Sequence, residues 1–478
     1  MSWHVRQLLG GAILGVALTA STQGYAESLW TDPLRTAGTV SSNPARMPIA
    51  TNSTCGLAVQ LPSPLTLLDA VERALCRNPQ TRQAWANVKA QAAAVGVSRA
   101  AYLPALTAGG TWSKANNRTT FPDFPQADST LKANSSDVNL NLSWVLYDFG
   151  LRAANLENAR QLLNAANATQ DDTLQTVFLN TVQSFYDAQA GQALLVATTE
   201  AEQAAAESFK ASDAKYLAGA GTQADRLQAQ TSYAQASLKR AQAAGDLQNA
   251  LGSLAIVMGL RPNTPLVLAE LGDAGDAPLL QQAVDDLIAD AVRTHPKILA
   301  VQAQLKAAQA QINAARAEGR PTLSLFATGD RSDTPINQVS SQQTITSRSV
   351  GVRINIPLLD GFSTKYKVRG AEAQAESKEA ELANVEQQVM LEVWKSNQAL
   401  RTEAENLKST DILLRSARQS FEVAKGRYKA GVGNILELLK AQSDLAGAQQ
   451  QRILSLTNWQ TARLRLAASL GRLRTDGI

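Results

Sequence analysis

The chain has few of the residues from which active sites and metal centres are built. Its 478 residues include two histidines and two cysteines, and aromatic side chains make up 5%. His4 lies near the N-terminus and His295 precedes a proline, so there is no zinc-binding pair, and neither a Gly-x-Ser-x-Gly motif nor a P-loop occurs. The formal net charge is only +4, which gives no nucleic-acid footprint. We therefore expect a protein that is not an enzyme, needs no metal or cofactor and binds no nucleic acid.

Long apolar runs are also missing, apart from one near the N-terminus. There, Arg6 precedes an apolar core over 8–20, and a small-residue cleavage site follows at 24–26. This order predicts a signal peptide over 1–26, so the mature protein leaves the cytoplasm. No later run reaches about 18 apolar residues, so no transmembrane helix is predicted. No cysteine follows the predicted cleavage site directly, which argues against a lipid-modified N-terminus.

The two cysteines are a candidate disulfide. An even number of cysteines in an oxidising compartment favours pairing, and a bridge between Cys55 and Cys76 would join an N-terminal extension over 27–64 to the first short helix. The alternative is two unrelated thiols, one of them buried on that helix.

The strongest pattern is a long helical hairpin that occurs twice. Apolar and small residues at steps of three and four predict helical arms over 150–260 and again over 362–470. Each pair of arms meets at a tight glycine turn, and the two turns align without a gap. The turn glycines are Gly219 and Gly221 in the first copy and Gly431 and Gly433 in the second. Arms joined by so short a turn lie antiparallel, which predicts two projecting coiled-coil hairpins.

Shorter features repeat in the same order and divide the chain into two halves. Asn78-Pro79 starts a helix in the first half and His295-Pro296 in the second, because proline suits the first position of a helix. These features predict a first repeat over 65–270, a second over 271–471 and a C-terminal tail over 472–478.

Between the short helices and each long hairpin, the period changes from helical to two. Apolar and polar residues alternate in two pairs of segments, which predicts β-hairpins over 105–147 and 322–358 with strands of about ten residues. The stretches Lys114–Ser136 and Asp330–Ser347 are polar and are predicted to be loops at an exposed rim. A soluble sheet with one solvated face is the alternative to membrane strands, but the long helices leave no obvious layer to cover the apolar faces.

The number of strands determines the predicted architecture. Four strands cannot close a barrel in a membrane, and open sheet edges are not tolerated in lipid. Three copies related by cyclic symmetry would share one barrel of about twelve strands. We therefore predict a mixed α+β membrane protein, a homotrimeric channel with a shared twelve-strand β-barrel, a long periplasmic α-helical coiled-coil barrel and two internal repeats.

Taken together, these motifs resemble the TolC family of outer-membrane export ducts, over nearly all of the mature chain. The resemblance rests on the paired helix starts and glycine turns, and on the strand exits Leu-Tyr-Asp-Phe-Gly at 146–150 and Leu-Leu-Asp-Gly at 358–361. It implies a homotrimer in the outer membrane that spans into the periplasm, contacts membrane lipid, and works with a periplasmic adaptor (membrane fusion protein) and an inner-membrane ABC transporter. Without a lipid-attachment cysteine, the chain resembles the type I secretion branch, whose cargo is a secreted protein such as a toxin of the adenylate-cyclase haemolysin type.

The resemblance also assigns roles at the hairpin turns, which would form the periplasmic mouth. Asp225 and Glu437 match acidic positions that ring the mouth in family members, and Tyr428 matches a gating position. Two positions depart from the family pattern: Gly433 replaces an expected arginine, and Lys440 falls on the second acidic position. These departures weaken the transfer of closed-state contacts to this chain.

Each of these residues also has a purely structural interpretation. Thr222-x-x-Asp225 and Asn434-x-x-Glu437 have the spacing of capping boxes, so both carboxylates fit the third position of a new helix. Tyr216 and Tyr428 fit as packing aromatics.

Two further alternatives remain open. The four turn glycines match the place where adaptor tips would dock, but helix ends favour glycine in any case. For the whole chain, the alternatives are a small-molecule or multidrug efflux duct and a periplasmic coiled-coil adaptor without a channel.

Overall fold

The computed structural model describes residues 32–45, 55, 62–269, 283–336 and 341–471. Its main elements in the first half are α1 (Leu67–Arg77), α2 (Pro79–Ala100), β1 (Ala105–Thr119), β2 (Ser129–Tyr147), α3 (Leu151–Leu217) and α4 (Gln223–Val257). In the second half they are α5 (Val284–Thr294), α6 (Pro296–Glu318), β3 (Thr322–Ile336), β4 (Ser341–Asn355), α7 (Ser363–Lys429) and α8 (Ile435–Ser469). The predicted signal peptide over 1–26 and the tail over 472–478 lie outside the described residues, as does most of the extension over 27–64.

Two helices, α3 and α7, run through the whole helical part of the molecule. Each is 67 residues long and contains no proline, so at 1.5 Å per residue each extends for about 100 Å. Nearest the sheet, the short helices α2 and α6 pack beside them in the order α2, α3, α6, α7. Farther from the sheet, the return arms α4 and α8, which follow the hairpin turns, pack beside the long helices in the order α4, α3, α8, α7. None of the described helices combines the length and the apolar character needed to cross a membrane.

The apolar core is concentrated midway along this helical layer. One cluster joins α5 and α6 to the hairpin of α7 and α8 through Leu287, Ile298, Val393 and Leu466. Other clusters pack α1 against α3, where Phe178 is fully buried. The helices are therefore held together where the short helices meet the return arms.

The helix starts at Asn78-Pro79 and His295-Pro296 form as the sequence predicts. The side-chain oxygen of Asn78 accepts a hydrogen bond from the Gln80 amide at 2.8 Å. At the equivalent position, His295 Nδ1 accepts one from the Lys297 amide at 3.2 Å. His295 is 6% exposed, and its burial lowers the pKa of the imidazole. Glu392 raises this pKa and Lys297 lowers it, each by a smaller amount.

The four strands form one antiparallel sheet in the order β1-β2-β3-β4. Among the described strands, β1 and β4 are therefore the edges. The register places most apolar side chains of the four strands on one face and most polar ones on the other, since Leu106 pairs with Leu142, Leu142 with Ala327 and Ala327 with Val350.

Spacing at the glycines shows that the polar face is the concave one. A Cβ added at Gly109 on this face would lie 2.7 Å from Asn139 Oδ1, and one at Gly351 would lie 2.9 Å from the Phe326 ring. On the apolar face, a Cβ at Gly329 would have no atom within 4 Å. Side chains converge on the inside of a curved sheet and spread on its outside, so the apolar face is convex.

The strands are longer than predicted, and most of the polar loops predicted over Lys114–Ser136 and Asp330–Ser347 are strand; the first prediction holds only over 120–128, which connect β1 and β2. β1 and β2 pair as far as Thr119 with Ser129, and β3 and β4 pair as far as Ile336 with Ser341. The sequence pattern gave strands that were too short, because apolar–polar alternation marks only the part of a strand that has one apolar face. Beyond that part both faces are polar, while the backbone pairing continues.

Aromatic side chains flank the apolar band on the convex face. Trp112 lies at its upper end and is 74% exposed, and Tyr147 lies at the lower end, in edge contact with Phe149 at 4.7 Å. On β2 the band extends from Val138 to Tyr147, roughly 30 Å along the strand, or about 23 Å of height at a tilt of about 40°. That height fits the hydrocarbon thickness of an outer membrane.

The joint between β2 and α3 is held by a partly buried ion pair that the sequence analysis did not single out. Asp148 accepts hydrogen bonds from the Arg152 amide at 3.0 Å and from Arg152 Nε at 2.7 Å. Arg152 also donates to the carbonyl of Val145 at 2.7 Å. In the second repeat, Asp360 accepts from the amide and hydroxyl of Thr364. The carboxylates of the two strand exits therefore cap the long helices.

The N-terminal segment 32–45 lies along α2 and α3. Three side chains each donate a hydrogen bond of 3.0 Å to its backbone: Arg99 to Leu34, Trp85 to Ser41 and Gln170 to Pro44. Farther along, Cys55 and Cys76 are joined by a disulfide with a Cα–Cα distance of 5.5 Å.

The buried cap His295 leads to a pH-dependent stability. Because burial lowers its pKa, the folded protein binds fewer protons than the unfolded chain below the ordinary value of 6.5. Protonation also removes the acceptor for the Lys297 amide. The folded state should therefore lose stability as the pH falls below about 6.5, measured as the thermal midpoint of the purified protein. His295→Asn, which reproduces the cap of the first repeat, should lose less stability over the same range. An equal loss in both proteins would contradict this prediction.

Candidate functional site

The two hairpin turns lie at the end of the molecule farthest from the sheet and share one backbone geometry. Gly219 and Gly431 have φ of +74° and +79°, a conformation that L side chains rarely adopt. At the next glycine of each turn, space is the constraint: a Cβ at Gly221 would lie 3.1 Å from Lys215 Cβ, and one at Gly433 would lie 3.0 Å from Arg427 Cβ. The turn geometry thus favours glycine at all four positions, most strongly at Gly219 and Gly431, whether or not a partner docks there.

The two acidic residues at the start of the return arms have different environments. Thr222 and Asp225 form a reciprocal capping box, in which the Asp225 amide donates to Thr222 Oγ1 at 3.1 Å. Asn434 caps α8 by accepting from the Glu437 amide at 2.8 Å. The Glu437 carboxylate does not complete a capping box. It forms an ion pair with Arg427 Nε across the turn, at 3.2 Å.

The first hairpin has its own ion pair between the arms. Arg226 Nε lies 2.6 Å from Asp213 Oδ1, and the Arg226 guanidinium also stacks 5.4 Å from the centre of the Tyr216 ring. The sequence motifs did not single out Arg427, Asp213 and Arg226. Their signal was their spacing, because residues at similar distances on either side of a tight turn face each other in antiparallel arms.

Tyr428 links the two hairpins. It is 8% exposed and packs with Ala229, Ile435, Leu438 and Leu439. The Lys215 ammonium of the first hairpin lies 3.8 Å from the centre of its ring. This position supports the packing interpretation of Tyr428, and it also means that moving the hairpins apart would break a cation–π contact.

Lys440 is exposed and forms an ion pair with Asp444 one turn further along α8. Within a single chain, then, the carboxylates of Glu437 and Asp444 each lie beside a cation. Among the residues described, no group of three His, Cys, Asp or Glu side chains is placed to hold a metal ion.

A second candidate region is an open cleft of about 860 Å³ over the helices α2, α3, α6 and α7. Its polar side chains are almost all uncharged: Gln80, Gln83, Asn87, Gln91, Asn158, Thr169, Thr173, Thr176, Gln304, Gln311 and Gln374. Lys378 is paired with Glu381 at 2.7 Å. Burial raises the pKa of Asp172, an effect that Lys297 opposes. The wall of the cleft therefore offers hydrogen bonds with little net charge.

Comparison with known proteins identifies the family to which this architecture belongs. The sequence model described as Outer membrane efflux protein matches residues 70–260 and 287–472. Protein CyaE of Bordetella pertussis is 34% identical over 423 residues, which cover 87% of this chain and 85% of the relative. The chain belongs to the outer membrane efflux protein family, the TolC family. Its members are channels, so the protein is an outer-membrane channel and not an enzyme.

Two further comparisons agree over the same length. Alkaline protease secretion protein AprF of Pseudomonas aeruginosa is 24% identical over 413 residues, which cover 84% of this chain and 83% of the relative. The CmeC outer membrane channel of Campylobacter jejuni has the same fold, with a TM-score of 0.74 at 18% identity over 85% of each chain. Family channels are homotrimers that work with adaptors and inner-membrane transporters. The sheet of this chain is one third of their twelve-strand barrel.

In this family arrangement the hairpin tips lie at the periplasmic end of the tunnel. We propose that Asp225, Glu437, Tyr428 and Lys440 surround the mouth there, and that the turns at Gly219, Gly221, Gly431 and Gly433 contact the adaptor. The ion pair between Glu437 and Arg427 then compensates charge at the mouth.

Removing either member of that ion pair should change the ion selectivity of the channel, in opposite directions for Arg427 and Glu437. Arg427→Ala leaves the Glu437 carboxylate uncompensated and should make the channel more cation-selective, while Glu437→Ala should make it less so. The reversal potential across a planar bilayer under a salt gradient measures both. The double variant should return close to wild type.

Glu405→Ala is the matched control, because Glu405 pairs with Lys408 at 3.0 Å on the same helix, about 33 Å from Arg427. It should leave the selectivity unchanged. Unchanged reversal potentials in both tip variants would place the pair outside the pore and leave Glu437 with a structural role alone.

Tyr428 and Tyr216 should differ in their contribution to the tip. Tyr428→Ala removes a buried ring from a packed cluster, so the tip should lose about 3 kcal/mol of stability against local opening. Tyr216→Ala removes a ring that is only partly buried and should cost about 1 kcal/mol or less. Hydrogen exchange of the backbone amides over 425–440 and 213–228 measures the opening. Equal effects of the two changes would be incompatible with the packing role of Tyr428.

Proposed function

We propose that this outer-membrane channel is the exit duct of a type I secretion system and exports a protein toxin, of the adenylate-cyclase haemolysin type. In this proposal the cargo passes from an inner-membrane ABC transporter, through a periplasmic adaptor docked at the hairpin tips, directly to the exterior. The observation that carries it is the set of uncharged amide and hydroxyl side chains along the cleft over α2, α3, α6 and α7, which we place on the inside of the duct.

The chemistry of that wall suits an extended polypeptide. Amide and hydroxyl side chains can replace water around peptide groups, and a wall with little net charge neither retains nor repels cargo segments of either sign. The relative AprF carries the name of a protease secretion protein, and it resembles this chain over most of its length. The sequence, which has no lipid-attachment cysteine after the predicted cleavage site, agrees with the secretion branch of the family.

Export of small molecules is the second candidate, because the family description itself is that of efflux proteins. The two candidates predict different phenotypes in the same cells. Deleting the gene from cells that contain the ABC transporter, the adaptor and a toxin should abolish toxin in the medium and leave drug susceptibility unchanged. Loss of drug resistance with normal toxin export would favour small-molecule efflux.

A variant of the wall tests the same proposal in the intact channel. Replacing Asn87, Gln91 and Gln311 by glutamate adds nine negative charges to a trimer and should slow export of acidic cargo more than of basic cargo. The matched neutral variant replaces the same three residues by serine and should leave both rates similar.

The purified protein should also be a conducting trimer by native mass and bilayer recording. A monomer without conductance would favour the adaptor alternative.

A further inference from the structure

On the half of the sheet nearest the turns, most charged side chains are sorted by sign between the two faces. The strand register places five cations on the convex face, all of them exposed, on the parts of the strands nearest the turns. These residues, here called the outer belt, are Lys114, Arg118, Lys132, Arg331 and Arg348. On the same parts of the strands, Asp137 and Asp330 lie on the concave face. The convex face has one acidic side chain there, Asp333, which accepts hydrogen bonds from Thr344 at 2.6 Å and Ser136 at 3.5 Å.

The outer belt begins where the apolar band ends. On three of the four strands a cation is the first convex-face residue beyond the last apolar or glycine position: Lys114 follows Trp112, Arg331 follows Gly329 and Arg348 follows Val350. Relative to the strand register, the boundary between the apolar band and the polar end shifts by two residues from each strand to the next. Such a shift is expected when tilted strands cross a flat layer. Lys114, Arg331 and Arg348 therefore lie at one height, next to the hydrocarbon, while Arg118 and Lys132 lie farther toward the turn between β1 and β2.

The belt residues form two clusters without internal compensation. Lys114 and Arg118 are diagonal neighbours of Lys132, because Lys132 pairs with Asn116. Arg331 and Arg348 are diagonal neighbours on β3 and β4. Diagonal neighbours on one face are about 7–8 Å apart. Within the described residues, none of the five has a carboxylate within 4.0 Å.

The side of the membrane follows from the topology. Both turns of the sheet lie at the ends of the strands opposite the helices, and the helices of this outer-membrane family extend into the periplasm. The belt therefore faces the outer leaflet, whose glycolipids carry phosphate groups at the level just above the acyl chains.

We propose that the outer belt binds the phosphorylated headgroups of outer-leaflet glycolipid, lipid A in chemical class. Arginine suits this role because its guanidinium can bind a phosphate through two hydrogen bonds, and lysine adds a point charge. Three copies of the chain place fifteen such cations around the barrel. The proposal rests on the outer-membrane location and not on the cargo of the channel.

The test uses the purified full-length trimer in mild detergent and lipid A as the probe. Binding is measured by native mass spectrometry and by titration, with dephosphorylated lipid A for comparison. The belt variant combines Lys114→Gln, Arg331→Gln and Arg348→Gln. Since each cation near such a surface is worth about fivefold in affinity, the variant should bind lipid A about fivefold more weakly at the cluster that loses Lys114 and about 25-fold more weakly at the cluster that loses Arg331 and Arg348. The wild type should prefer the phosphorylated lipid and bind it less tightly at high salt.

A control variant removes the same charge from exposed cations of the helices, through Lys306→Gln, Arg401→Gln and Arg418→Gln. It should bind like the wild type. An equal loss in both variants would mean a response to net charge and would overturn the proposal. So would a wild type that binds both forms of lipid A equally, a result that does not depend on any variant folding. Displacement of lipid A by millimolar inorganic phosphate would assign the belt to a free anion and also overturn it.

Discussion

In a hydrocarbon layer every backbone amide and carbonyl needs a hydrogen-bond partner within the protein, and most of this architecture follows from that requirement. The sheet of the chain satisfies the inner strands β2 and β3 on both sides but leaves one edge of β1 and one edge of β4 unpaired. Joining these edges between three copies removes them. The need for several copies thus follows from the strand count, the family arrangement makes them three, and the helical hairpins need only continue the same threefold arrangement below the membrane.

The two repeats solve the same structural problems with different residues. Asp148 and Asp360 cap the long helices at the strand exits, but one does so with an arginine and the other with a threonine. At the tips, both hairpins have an ion pair between their arms, built at different positions in each copy. Equivalent backbone geometry is therefore maintained in the two repeats while the charges diverge.

Much of the fold could be predicted from the residues. Gly431, the helix start at Pro79 and the alternation from Leu106 to Trp112 each correspond to a local backbone preference, so they mark element ends without any tertiary information. The strand ends could not be predicted in the same way, because the stretch after Lys114 has no apolar face and only its pairing with β2 identifies it as strand. For the candidate site, spacing indicated that Asp225 and Glu437 follow the turns. It also indicated the capping box of Thr222 and Asp225, but not that Glu437 pairs with Arg427 instead of completing a second box.

The sequence alone therefore determined the class of protein: its repeats, the long helices, the membrane strands and, through the strand count, the need for several copies. Periodicity and turn residues encode these features within short windows of the chain. Only the tertiary structure decided which charges meet. Lys215 reaches Tyr428 across two hairpins, and Arg331 and Arg348 come together through strand pairing. The physical reason is that register and helix packing bring together residues distant in the chain, and no local preference specifies such neighbours.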